Sequence, residues 1–473
     1  LLNKLAEKYK AGMTASGPVF RFTVDIDPHS GAAMQRRHAL YLAFAATLVA
    51  LPASSQQGKN PPTNLYIDVL THNMAGMPDM GGMMGGLGGF MARRMGGAET
   101  GKPTYPTTRA GGMSGQYLDI ALHNALKPGI EAQEQIPAGL KLGKALTLIP
   151  IDPSKPTQGS TPPGKVPDVQ VKITEYWGCG ATVRPGQPKV ATFKLKGNGK
   201  TIDPNNPMGA MQGMDFSATG SISKEIRVAD RDIDLKPGWV YWPNRQHGKQ
   251  VPNGARLAGD HKIVGDGIPA SMQFQVQQAA DFMPKLALRT QGEATDAIGL
   301  SWPSVERARG FHITGMHMQM LGENSFAMTM WSSAELPGAR EDLHTNLTGG
   351  QLDKWLKQKV LLPSTATSCT IPKGIFAGAS NVEGQQMTMP GMLSMTAYGP
   401  ESWITYPPKP ADPKQPWNPE WSVRLRARSS ATAILGLDFG GMQQMEDEDS
   451  EGQPQQQQKK PGMKGLLKGI LGG

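Results

Sequence analysis

The chain predicts a mainly β protein: two β-sandwich-like domains with a short inserted helix, a flexible Met/Gly-rich N-terminal region and a disordered tail. Three observations carry this. The 473 residues include 58 Gly and 39 Pro, with only 38% hydrophobic, a composition that suits short strands joined by turns better than helical packing. Short alternating runs recur, as at Val169, Val171 and Ile173 and again at Ile298, Leu300 and Trp302, the period of a half-buried strand. Turn signals separate them, among them Arg184-Pro185-Gly186 and Lys236-Pro237-Gly238.

The first element is an address. Residues 34–57, MQRRHALYLAFAATLVALPASSQQ, have a basic start, a 13-residue apolar run and small residues at an exit site, the build of a bacterial export signal. That run is shorter than the roughly 20 apolar residues that span a bilayer. Residues 34–55 are therefore expected to be a signal peptide, and residues 1–33 an upstream extension outside the mature fold. The alternative is an amphipathic leader, with Leu2, Leu5 and Tyr9 at helical spacing. Export implies the periplasm or the extracellular surface. There, two cysteines are more often bonded than free, so Cys179 and Cys369 are expected to form a disulfide; the alternative is two separately buried small hydrophobes. Net charge is +9, or about +6 without residues 1–55, and it is spread along the chain. No basic stripe with interleaved aromatics is present, which argues against nucleic acid as a partner.

Residues 56–150 form an N-terminal region. Two octapeptides within it look alike, YIDVLTHN at 66–73 and YLDIALHN at 117–124, which suggests paired or equivalent strands. Between them lies a loop so rich in Gly and Met that backbone entropy opposes helix or sheet. Residues 136–149 alternate well enough for a further strand pair around Gly139. Residues 150–167 are a Pro/Gly linker, after which 168–268 read as a middle β domain. In it, strands are expected around Val169–Ile173, around 190–195 and over Ile222, Ile226 and Val228. Residues 269–437 supply more alternating runs at 325–331, 392–398 and 422–435, and Leu352, Trp355, Leu356 and Val360 predict a helix within 351–362. Residues 438–473 form the tail, acidic and then Gln-rich. Its last residues, 463–473, place Leu466, Leu467, Ile470 and Leu471 on one helical side: a frayed terminus, or a short segment that rests on a membrane surface or a partner.

The stretch IGLSWPSVERARGFHI at 298–313, with Trp302, Ala308 and Phe311 spaced to pack two sheets together, resembles the B and C strands of a fibronectin type III domain. The resemblance implies a sandwich used for binding or spacing rather than chemistry; the helix at 351–362 departs from that family's pattern. YWGCG at 176–180, MQFQ at 272–275 and SCTIP at 368–372 are similar to pieces of uncharacterised exported proteins of Gram-negative bacteria.

Methionine is the most conspicuous candidate for chemistry, with 27 residues. Thioethers are soft donors that select Cu(I), and Met77, Met80, Met83 and Met84 in the Gly-rich loop are candidate ligands for Cu(I) or Ag(I). Met316, Met318 and Met320, which flank His317, and Met387 and Met389 alternate along strands and read first as sheet-face apolar stripes. Asp68, His72, Asp119 and His123 of the near-repeat are a second candidate set, for a divalent metal, provided the two strands pair and bring all four together. Asp230, Asp232 and Asp234 open like a calcium loop but lack its Gly and closing acid, having Leu235 and Tyr241 at those places. Gly199-Lys200-Thr201 lacks the first Gly of a phosphate loop. No GxSxG, HExxH or CxxC occurs, so no catalytic residues are nominated and no resident cofactor is expected. The expected role is an exported binding or structural protein that engages an unidentified protein or envelope component. The alternatives are a periplasmic Cu(I)/Ag(I) binder and, third, a glycan- or peptide-processing enzyme.

Overall fold

The computed structural model describes residues 60–75, 102–109, 113–151, 167–197, 215–228, 234–378, 380–382, 385–387, 390–412 and 414–435. The expected signal peptide, the loop methionines Met77, Met80, Met83 and Met84, Asp230 and Asp232, and the tail lie outside the described residues.

The protein is mainly β with one α-helix among the described residues. In chain order the strands are β1 (Thr63–Met74), β2 (Gly115–Asn124), β3 (Ala132–Gln135), β4 (Ala145–Leu148), β5 (Val169–Trp177), β6 (Lys189–Lys196) and β7 (Asp215–Gly220). There follow β8 (Trp239–Trp242), β9 (Gly259–Gly265), β10 (Gln273–Val276), β11 (Arg289–Gln291), β12 (Ile298–Ser301), β13 (Gly310–Gly322) and β14 (Ser325–Ser332). Helix α1 (Gly349–Lys357) precedes β15 (Leu362–Pro363), β16 (Ser368–Ile371), β17 (Ser380–Val382), β18 (Gln385–Met387), β19 (Met392–Tyr406) and β20 (Trp421–Ile434).

Eleven strands share one long sheet in the order β7-β6-β5-β14-β13-β19-β20-β1-β2-β8, with β15 attached to β13. Strands from the segments 56–150, 168–268 and 269–437 thus lie side by side in it. Two parallel pairings make this possible, β1 with β20 and β5 with β14. Two smaller sheets, β10-β9-β3-β4 and β11-β12-β16, contribute to the same buried cluster as one face of the long sheet. Leu65, Ile67 and Val69 of β1 and Val423 and Leu425 of β20 meet Leu146, Ile263 and Phe274 of the four-stranded sheet and Leu300 and Ile371 of the three-stranded one. Within this core the Trp302 and Phe311 rings lie edge to face with centroids 5.6 Å apart, and Ala308 packs at its margin.

Local chemistry explains most boundaries. The octapeptides pair antiparallel, with Asp68 opposite Asp119. Gly186 and Gly238 hold the two expected turns at φ 81° and 79°, a region that glycine enters without strain. The helix begins two residues before the expected span because Thr348 and Gln351 form a reciprocal capping box. It ends before Lys359, whose φ of 56° leaves the helical region. The strand pair expected at 136–149 is β3 with β4, and β3 starts earlier, because residues 138–140 form a 3₁₀ turn that Lys141 closes in the left-handed region.

One expected strand is absent. Residues 221–228 form no ladder; Ser221 N donates to Val190 O and Ile226 N to Gly338 O. Ile226 and Val228 instead pack into a second apolar cluster with Ala339, Leu343, Leu352, Trp355 and Tyr398. That cluster lies on the opposite face of the long sheet, so burial there is met by an irregular strap rather than by strand pairing.

Cys179, just after β5, is bonded to Cys369 in β16, with a Cα–Cα distance of 5.3 Å and 190 residues between the two in sequence. The bond joins the long sheet to the three-stranded one. Gly180 N donating to Thr370 O and the Trp331 indole N–H donating to Gly178 O flank it. Closing so long a loop restricts the unfolded chain. Replacing both cysteines by Ser is expected to cost about 2–5 kcal/mol, read as a lower urea midpoint, and a free-thiol assay of the native chain should find none; an unchanged midpoint would show that the bond adds no stability.

Candidate functional site

The site is built on the face of the long sheet that points away from the three-sheet core. In β20, Val423, Leu425 and Ala427 enter the core, so Arg424, Arg426 and Arg428 project from the other side, and all three are buried. Three buried arginines on one strand need partners, which β1 and the segment 102–109 supply. Asp68 of β1 stands directly opposite Arg426 and accepts two hydrogen bonds from its guanidinium, 2.8 Å from Nε and 2.7 Å from Nη2. The Arg424 guanidinium stacks on the Tyr66 ring, 3.8 Å from its centroid. Arg428 donates to the Thr108 carbonyl.

Residues 102–109 strap this face. The Asp119 carboxylate reaches them through four hydrogen bonds: Oδ1 accepts from Thr107 N and Oγ1, both 2.8 Å, and Oδ2 from Thr108 N at 2.7 Å and Oγ1 at 2.6 Å. Burial raises the Asp119 carboxyl to about 6, and these hydrogen bonds pull against that rise. Tyr105 of the strap packs on Tyr241 with ring centroids 4.6 Å apart.

The near-repeat donors are therefore divided. Asp68 and Asp119 face each other across the β1–β2 ladder, and each already has its partners. His72 pairs with Gly115 and His123 with Asn64, eight positions apart along the strands, on the order of 26 Å. The two imidazoles join neither the carboxylates nor each other. Among the described residues no group of three or more His, Cys, Asp or Glu side chains is gathered to hold a metal.

His72 has a different role. Its Nδ1 shares a hydrogen bond with Ser430 Oγ at 2.8 Å. Burial, then the Arg428 charge, brings its pKa from 6.5 down to about 4. His344 lies further along the same face, with Nδ1 2.8 Å from Thr396 Oγ1 and Nε2 2.8 Å from Thr314 Oγ1. It is lowered to about 3 by burial and Arg428. Both are neutral, hydrogen-bonded parts of a polar interior. His261, on the other side of the sheet, is the opposite case: burial would lower it, but the Glu134 carboxylate 2.8 Å from its Nδ1 outweighs that and raises it.

Toward the Trp403 end the face opens. One row across four strands reads Trp403, Arg424, Tyr66 and Ala121, and the next reads Thr405, Ser422, Asn64, His123 and Trp239. Tyr66 and Trp239 have ring centroids 5.1 Å apart, Tyr66 and Trp403 6.4 Å, and His123 stacks on Trp239 at 5.1 Å. Lys236 Nζ sits 5.5 Å from the Trp239 ring centroid. Trp403 is 53% exposed, while Ser422 Oγ donates to Asn64 Oδ1 at 2.8 Å behind it. Of this group only His123 stood among the sequence candidates. The alternation of Arg424, Arg426 and Arg428 within 422–435 was the available signal for the rest.

No family model, curated protein or solved structure matches the chain.

The pH dependence has a definite sign. A histidine held neutral by the fold stabilises it above the unfolded pKa, and that contribution is lost as pH falls from 6.5 toward the folded value. For His72 the loss amounts to roughly 3 kcal/mol. His72→Gln should therefore flatten the decline in Tm between pH 7 and pH 4.5; a decline as steep as that of the parent chain would contradict this assignment.

Proposed function

We propose that the chain is an exported binding protein of the bacterial envelope, periplasmic or displayed at the cell surface, whose Trp403 face holds an anionic glycan. The observation that carries this reading is the cluster of Trp403, Tyr66 and Trp239 rings drawn from two adjacent rows, with the exposed Trp403 at its edge, Lys236 over Trp239 and the buried Arg424 stacked on Tyr66. Aromatic faces offer large, rigid contact area with little entropy to lose. The cations stacked on two of those rings add positive charge to the face, while Asp68 is neutralised by Arg426 and the Glu401 carboxylate, two residues before Trp403, accepts from Gly349 N. Thr405 and His123 add hydrogen-bonding groups suited to hydroxyls.

The buried polar layer beneath supports the same role. Ion pair, strap and ladder hold the rings on rigid strands, which lessens the ordering that binding requires. The disulfide is compatible with an oxidising compartment, as export implies. A fibronectin-like reading of 269–437 is supported by the strand order β14-β13-β19-β20 in the long sheet beside β11-β12-β16, with α1 inserted between β14 and β16.

Titration with uronate oligosaccharides and peptidoglycan fragments, followed by tryptophan fluorescence and calorimetry, tests this reading. Binding to at least one acidic glycan is expected, weakened about tenfold or more, about 1.4 kcal/mol, by Trp403→Ala and little by Trp403→Phe. Failure to bind any of them, or equal binding by Trp403→Ala, would refute it.

A further inference from the structure

The long sheet gathers methionines that are scattered in sequence. Met316 of β13 stands directly opposite Met330 of β14 on one side and Met392 of β19 on the other, so three thioethers form one row across three adjacent strands. The next row pairs Met318 with Met328, and the one after it Met320 with Phe326. Directly opposite residues point to the same face, and so do alternate residues on one strand. Met316, Met318, Met328, Met330 and Met392 therefore share one face.

This face is partly open to solvent, with Met316, Met328 and Met330 half-buried. Met318 is 38% and Met392 41% exposed, in contrast to the fully buried Met272, Met283 and Met395. His317 is not part of it, since alternation turns that imidazole to the other side, where it is buried near the Phe376 ring. The flanking groups at the same height are Ile434 beyond Met392 and Ile173 beyond Met328. Glu175, opposite Met330, has its carboxylate engaged by Arg340 Nη2 at 3.0 Å, Ser223 N at 2.8 Å and Gly338 N at 3.1 Å.

The geometry points to a soft-cation site on this face, in which Met316, Met330 and Met392 bind Cu(I) or its redox-inert analogue Ag(I), with Met318 and Met328 in reach as replacements. Opposite Cβ atoms lie about 4.5–5.5 Å apart, and each thioether hangs on three rotatable bonds, so three sulfurs can converge on one ion without moving the backbone. Neutral, polarisable thioethers select soft monovalent ions and leave hard divalent ones to oxygen donors. The site requires no ionised ligand, so uptake should be insensitive to pH between about 5 and 8. Its ligands are other than the sequence candidates Met77, Met80, Met83 and Met84.

Ag(I) titration of the full-length chain, read by competition with a chromophoric chelator and by NMR of ¹³C-methyl methionine, tests the site. One tightly held Ag(I) is expected at the face, shifting the methyl signals of Met316, Met330 and Met392 and leaving those of Met272 and Met283 in place. The triple variant Met316→Leu, Met330→Leu, Met392→Leu keeps volume nearly constant and should retain the parent circular dichroism while losing that ion's affinity at least tenfold. The quadruple variant Met77→Leu, Met80→Leu, Met83→Leu, Met84→Leu should keep it. No uptake by the parent chain, uptake unchanged in a folded triple variant, or methyl shifts confined to other methionines would each overturn the assignment. Any of these would leave the face as an adhesive apolar surface for a protein partner.

Discussion

The parallel pairing of β1 with β20, locked by the buried Asp68–Arg426 ion pair, is the constraint on which the rest of the architecture depends. It joins residues 358 apart in sequence and places the β1–β2 pair beside β20, the last strand among the described residues. Without it the long sheet would separate into two pieces between β20 and β1, each with an open edge. An unpaired edge of that kind is a template for misassembly. The pair also sets the chemistry of the outer face. Once Asp68 neutralises Arg426, the guanidinium of Arg424 can stack on Tyr66, and Arg428 can anchor residues 102–109 through the Thr108 carbonyl.

Burying so many polar groups is costly unless each is satisfied, and the structure meets part of that demand locally, leaving atoms such as Arg428 Nε buried without a hydrogen bond. The Asp119 carboxylate ties the strap down with four hydrogen bonds, while His72 and His344 stay neutral and share hydrogen bonds with Ser430, Thr314 and Thr396. The result is a sheet with an apolar core on one side and a polar, strapped layer on the other. At one end of that second layer the cover stops and the Trp403 row is open to solvent. At the other side of the sheet's midline, the same outer surface carries the methionine rows.

Much of this was legible in the chain because it is local. Period-two alternation marked β1, β2, β5, β13, β19 and β20. The repeated octapeptide correctly implied a strand pair, and the two lone cysteines implied the bond that the structure contains. What could not be read is what depends on distant partners. Asp68 looked like a metal donor because it recurs with a histidine four residues on in the near-repeat; its partner is Arg426, brought in by a parallel register. Met316 and Met318 looked like an isolated stripe because the sequence does not say that Met330, Met328 and Met392 stand opposite. Ile222, Ile226 and Val228 alternate as a strand should, yet Ile226 and Val228 are covered by a cluster that includes Ala339, Leu343, Leu352 and Trp355 rather than by a neighbouring strand. The Trp403 row is assembled from four strands, and no single stretch of the chain carries its pattern.

A double-mutant cycle on the closing ion pair tests the account most directly, using Asp68→Asn, Arg426→Met and the combination, each unfolded in urea. Removing one partner of a buried pair leaves the other uncompensated, so each single variant should lose about 3–5 kcal/mol, whereas the double variant should lose much less than their sum. Single losses near zero that simply add would show that the β1–β20 junction does not rest on this pair, and would contradict the account.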